Sequence, residues 1–216
     1  MLDAYHNMIE NQLRAGGIHL PQVFEAFDAV DRQAFVPEAY RHYAYADMPV
    51  PLADGQQMLL PLTDAKILQA VIPKKTDTVL EIGTGTGFSA ALMAQLTRYV
   101  TTLEINPSLA ETARHHLQQQ AVHNAQVICA DAFATDLHQT GRKFDIIVFS
   151  GAISTLPDIF CDMLSDGGRM VVFRKQPALT QAELIEKTAG NVLKPQRLFE
   201  TDMTPLIQPE QRGFIF

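Results

Sequence analysis

The chain has 216 residues, 47% of them hydrophobic and 19% charged, with a net charge of −7 at neutral pH. This composition is that of a globular protein with room for a proper core, and no apolar run reaches the length needed to cross a bilayer. The negative balance disfavours non-specific nucleic-acid binding, which needs a basic face.

The opening Met1-Leu2-Asp3-Ala4 has no basic region or apolar run of a secretory signal, so the chain reads as cytoplasmic. Cys129 and Cys161 have no metal or redox spacing and read as buried small hydrophobes. Residues 3–15 place Tyr5, Met8, Ile9 and Leu13 on one helical stripe, which Gly16-Gly17 ends. Pro21 opens a second helix carrying Val23, Phe24, Phe27 and Val30 inward. Residues 32–45 are aromatic-rich, with Phe35, Tyr40, Tyr43 and Tyr45 expected to pack against the main fold. Residues 47–62, rich in Pro and Gly, read as a loop covering a ligand. Helix resumes over 63–72 with Thr63 or Asp64 near its N-cap.

The central signal follows. Val79, Leu80 and Ile82 form a short buried-strand pattern over 78–82 that runs into Gly83, Gly85 and Gly87 and then an Ala-rich helix over 88–97. Glycines at a strand-to-helix turn permit positive φ and close approach of a ligand to backbone N–H groups. The dinucleotide fingerprint wants its third glycine where this chain has Phe88, so an NAD site fits poorly. Glu81 lies two positions before the first glycine, where a carboxylate would repel a pyrophosphate but suit the cationic amino-acid end of S-adenosylmethionine. Glu104 ends the next strand, 99–104, about 20 residues beyond the first glycine, where such folds place a ribose-binding carboxylate. The cofactor set read from this stretch is Glu81, Gly83, Thr84, Gly85, Gly87, Glu104 and Ile105, with Asp131 and Ala132 expected at the adenine.

Beyond it come a helix opened by Pro107, strands 125–130 and 144–149, a helix over 155–164 and a strand over 168–174 entered from a Gly167-Gly168 turn. Residues 180–187 read as helix, and 192–200 and 212–216 as edge or hairpin strands. The alternation predicts an α/β fold, a doubly wound, mostly parallel sheet of the Rossmann-like methyltransferase type. Residues 1–75 form a helical extension and cofactor-covering loop, and 76–216 the core of a single methyltransferase domain. Ser150, Gly151 and Ala152 end a strand where their small side chains leave room for a methyl acceptor. His115, His116 and His123 offer no i,i+4 metal pair, and no nucleophile–base pair stands out. None is needed if the acceptor is a carboxylate, which is already ionised at neutral pH.

Asn11-Gln12-Leu13-Arg14, Val30-Asp31-Arg32 through Phe35-Val36-Pro37, Ala44-Tyr45-Ala46-Asp47, the glycine turn, Gly167-Gly168-Arg169 and Pro205-Leu206 together resemble the protein-L-isoaspartate O-methyltransferases across nearly the whole chain. The resemblance implies S-adenosylmethionine as methyl donor and, as partner, isoaspartyl residues of damaged peptides or proteins. It also implies an active-site loop reading Thr-Ile-Ser-Gln-Pro after a Gly-Gln pair. This chain reads Gly55-Gln56-Gln57-Met58-Leu59-Leu60-Pro61, so Leu59 occupies the position of the family's catalytic serine and Gln57 that of its threonine. Gln57, Met58, Leu60 and Ser150 are the expected substrate-side residues. Two alternatives stay open on this loop: the same fold with a changed acceptor, a small molecule or RNA, and a non-catalytic S-adenosylmethionine-binding protein.

Overall fold

A computed structural model describes residues 2–134, 139–188, 191–192 and 194–207. The N-terminal helix α1 (Leu2–Asn7) continues into wider π-helical turns over Met8–Arg14, and Pro21 starts α2 (Pro21–Ala29). Short 3-10 turns follow at Arg32–Phe35 and Glu38–Tyr43. The stretch expected as loop instead contains a small hairpin, β1 (Val50–Pro51) against β2 (Gln57–Met58), closed by Leu52 N–H donating to Gln56 O at 2.8 Å. Helix α3 (Pro61–Val71) begins two residues earlier than expected. Pro61 fills its first turn, where a missing N–H costs nothing, so neither Thr63 nor Asp64 caps it, and both are buried.

The main sheet contains β3 (Thr78–Ile82), β4 (Tyr99–Glu104), β5 (Ala125–Cys129), β6 (Phe144–Ile153), β7 (Leu164–Lys175), β8 (Thr180–Thr188), β9 (Asn191–Val192) and β10 (Gln196–Thr201). Its order is β10-β8-β7-β6-β3-β4-β5, with β9 pairing β8. The strands from β5 to β7 are parallel neighbours, and β8 and β10 add antiparallel. Helices α4 (Phe88–Leu96), α5 (Pro107–Gln119) and α6 (Asp158–Met163) connect them.

Strand alternation sorts the core into two layers. Val79, Val100, Ile146, Val148 and Val171 face the N-terminal helices, α3 and α4; Leu80, Ile82, Leu103, Ile147, Phe149 and Val172 face α6. Both faces are covered, which is why these strands read as continuous apolar runs rather than alternating ones.

Four expectations are corrected. Residues 180–187 form β8, because the free edge of β7 needs a hydrogen-bonding partner and that demand outweighs the helix propensity of Ala182, Glu183, Leu184 and Lys187. Gly167-Gly168 lies within β7, in a bulge where the register jumps between Phe144↔Leu164 and Ile146↔Arg169. Strand β6 runs on to Ile153 and leaves α6 only Asp158–Met163. Cys129 is exposed on the edge strand β5, while Cys161 is half-buried in α6. The strand expected over 212–216 lies outside the described residues.

Candidate active site

Open α/β sheets bind ligands beyond the carboxyl ends of their strands. Here a cleft of about 630 Å³, open to solvent, lies at that edge. Ile82, Gly83, Gly85, Glu104, Ile105, Asn106, Leu109, Asp131, Ala132 and Phe133 line it from the core; Leu52, Asp54, Gln56 and Gln57 line it from the hairpin. Leu206 and Ile207 close it from the tail.

The glycine turn makes the floor. Gly83, Gly85 and Gly87 all have positive φ (94°, 54° and 91°), a region that side chains with a Cβ rarely enter. Gly83 also admits a neighbour, since a Cβ there would come within 2.9 Å of Leu206 Cδ2. Gly87 does something else: it starts α4 and lies against Ala113 of α5, outside the cleft.

Glu104 is almost fully buried, yet both oxygens serve the turn. Oε2 accepts from Gly85 N–H at 2.8 Å and Oε1 from Asn106 N–H at 3.0 Å. A carboxylate has about four acceptor positions, so two remain for hydroxyl groups of a ligand in the cleft. Asp131 Oδ1 accepts from Phe133 N–H at 2.8 Å, which fixes the turn that carries Asp131 and Ala132 into the lining. With apolar Ile105, Leu109 and Phe133 beside these acids, the set of acceptors fits the sugar and base of a nucleoside.

Glu81 is the departure. It is still within β3, paired with Thr102 and Val148, so its side chain stands on the sheet face and does not line the cleft. It is fully buried. Oε2 accepts from Thr102 Oγ1 at 2.6 Å and Oε1 from Ser150 Oγ at 2.9 Å; Thr102 also meets Thr84 Oγ1 at 2.6 Å. Burial pushes its pKa up to about 8, against the hydrogen bonds from Thr102 and Ser150; Asp64 and Glu104 push the same way as burial. A group charged to meet a cationic ligand is therefore largely neutral at pH 7.

Two smaller cavities adjoin the cleft. One is lined by Arg32, Met58, Leu59, Asp64, Thr84 and Ser89, the other by Met58, Leu59, Leu60, Thr63, Met203 and Thr204. Gln57 and Ser150 line both of these and the main cleft. The substrate-side residues expected from the sequence thus gather at one junction, with Leu59 packed against the core beneath the N-terminal helices. Ser150 and Gly151 sit in a β6 bulge, where the register shifts between Val148 and Ala152. The tail is stitched to that bulge: Ala152 N–H donates to Thr204 O at 3.0 Å and Leu206 N–H to Ala152 O at 2.9 Å.

Arg32 is the residue whose role sequence reasoning missed. It is buried, stacks 4.6 Å over the Phe88 ring, and donates to Ala44 O at 2.9 Å and Leu59 O at 2.6 Å. Its ion partner Asp64 lies at 3.5 Å and also accepts from Ser89 Oγ. Burial raises the Asp64 pKa to about 6, against the pull of Arg32 and Ser89. The signal in the sequence was its place in the Val30-Asp31-Arg32 segment that carries the family resemblance. Among the described residues no group of acids, histidines or cysteines is arranged to hold a metal ion, and no helix is long and apolar enough to cross a membrane.

The family model described as protein-L-isoaspartate(D-aspartate) O-methyltransferase matches residues 4–211. A protein-L-isoaspartate O-methyltransferase of Koribacter versatilis is 36% identical over 200 residues, 93% of this chain and 89% of its own length. One from Ignicoccus hospitalis is 34% identical over 215 residues, 97% of this chain and 100% of its own. A Plasmodium falciparum chain assigned to the same methyltransferases, crystallised with S-adenosyl-L-homocysteine, superimposes with a TM-score of 0.83 at 22% identity, covering 93% of this chain and 97% of that one. The glycine turn, the Glu104 carboxylate and these matches lead to one conclusion: the chain belongs to the protein-L-isoaspartate(D-aspartate) O-methyltransferase family.

Proposed function

We propose that this protein transfers the methyl group of S-adenosylmethionine to the carboxylate of isoaspartyl residues in damaged peptides and proteins. It would work as one domain, with 1–75 covering the cofactor and 76–216 holding it, in the cytoplasm. The observation that carries the reading is the cleft itself: a glycine floor, a buried carboxylate with spare acceptor positions, and a junction of cavities at Gln57 and Ser150 beside it.

The bound donor supplies a methyl group on a sulfonium that is itself the leaving group. Glu104 would hold its ribose hydroxyls, Asp131 and Ala132 its base, and the turn at Gly83 and Gly85 its amino-acid arm. The acceptor carboxylate is ionised without help, so the protein's contribution is alignment and exclusion of water. Leu206, over Gly83 and Gly151, closes the site on the tail side, and the hairpin with Leu52 and Gln56 closes it on the other.

A methyl-transfer assay on a synthetic isoaspartyl peptide tests this reading, with the aspartyl peptide as control. The expected product is a base-labile methyl ester on the isoaspartyl peptide alone. Binding of S-adenosylhomocysteine with no ester above background would overturn the acceptor assignment. That result would leave the two alternatives raised by the absence of any hydroxyl from Gln57 through Leu60, a changed acceptor and a non-catalytic S-adenosylmethionine-binding protein, which transfer assays with other acceptors separate.

A further inference from the structure

We propose that Ser150, backed by Glu81, is the hydroxyl that grips the acceptor carboxylate in this chain, with the Gln57 amide as its partner across the junction. The proposal rests on the acceptor being a carboxylate, as above. Its observations are geometric. Among the described residues Gln57 and Ser150 are the two common to the cleft and both adjoining cavities, and Ser150 is the single hydroxyl side chain in the lining of the main cleft. The facing loop, from Gln57 through Leu60, offers no hydroxyl. The β6 bulge turns Ser150 toward this junction while its Oγ lies 2.9 Å from a carboxyl oxygen with no solvent exposure.

A serine hydroxyl has one proton to give. With Glu81 ionised, that proton goes to Oε1 and only oxygen lone pairs face the junction, so a carboxylate there is repelled. With Glu81 protonated on Oε1, the carboxyl donates to Ser150 Oγ, and the serine proton is released toward the acceptor. Thr102 donates to Oε2 in either state. The charges around Glu81 are Asp64, from α3, and Glu104, at the end of β4; both favour the protonated form, and Arg32 is paired with Asp64. Glu81 is thus a positioning residue, and Ser150 the one that touches substrate.

The test is the pH profile of kcat/KM for an isoaspartyl peptide in wild type, Ser150→Ala, Ser150→Thr and Glu81→Gln. Calorimetry with S-adenosylhomocysteine runs on each. Ser150→Ala is expected to lose about ten- to a hundredfold in kcat/KM with unchanged S-adenosylhomocysteine affinity, and Ser150→Thr to recover most of it. Wild type is expected to lose activity above about pH 8. Glu81→Gln, whose amide donates to Ser150 at any pH, should lack that alkaline fall. Ser150→Ala within twofold of wild type, a parallel loss of S-adenosylhomocysteine binding, or an alkaline fall unchanged in Glu81→Gln would each overturn the proposal while leaving the acceptor reading intact. Wild type that binds S-adenosylhomocysteine yet makes no ester would overturn both.

Discussion

The two halves of the cleft are built in different ways. The cofactor half comes from neighbouring β-turn-α units: β3, its glycine turn, and the ends of β4 and β5. The half proposed for the acceptor is assembled from Gln57 to Leu60, the Ser150 bulge and Met203 and Thr204 of the tail, segments far apart in the chain. Backbone geometry secures the first half. A few long-range contacts secure the second, chiefly Arg32 reaching across to Leu59 and the tail strapped to Ala152. Local construction leaves little freedom to change a cofactor, whereas an acceptor site held by tertiary contacts can change its side chains and keep its frame.

The sharpest way to separate the halves is Arg32→Ala. It strands the buried Asp64 charge and frees the Leu59 carbonyl, so thermal unfolding should show a loss of about 3–5 kcal/mol. The protein that remains folded should bind S-adenosylhomocysteine within a few-fold of wild type. Equal collapse of cofactor affinity would show that the halves are one unit.

Glu81 lies behind both halves, and its effect appears as a pH slope. Its pKa is raised from 4.5 to about 8, so the folded state keeps a proton that the unfolded chain releases. Stability is then full below about pH 4.5, falls as pH rises, and levels off above about pH 8. Denaturant titrations should show wild type losing on the order of 2–4 kcal/mol from this group between pH 5 and 8. Glu81→Gln should flatten the slope.

Glu104→Ala attacks the cofactor half alone. It removes the proposed ribose acceptor and leaves the Gly85 and Asn106 N–H groups without their partner. Calorimetry should give S-adenosylhomocysteine binding weaker by about ten- to a hundredfold. The smallest effect belongs to Leu59→Ser, which restores a hydroxyl to the acceptor half. Isoaspartyl turnover should rise about three- to tenfold, the size of one ordinary hydrogen bond of about 0.5–1.5 kcal/mol. S-adenosylhomocysteine affinity should stay unchanged.

Much of the sheet was legible because buried parallel strands and their helices announce themselves locally, as Val79 to Gly87 and Pro107 do. Residues 180–187 were not, since their helical composition is overruled by the open edge of β7, which lies in another segment. The place of Glu104 in the cleft was legible from its distance to the first glycine. The orientation of Glu81 was harder to read. Its place before the turn suggested the cleft, but strand parity sets it on the sheet face between Thr102 and Ser150.

The sequence by itself determined the cofactor cradle and the parallel core, because glycine conformation, strand alternation and helix starts act over a few neighbouring residues. Only the tertiary structure decided the protonation of Glu81, the anchoring of the loop by Arg32 and the meeting of Gln57 with Ser150. Burial and charge pairing depend on which distant segments come to lie against a residue, and no short window of sequence contains that information.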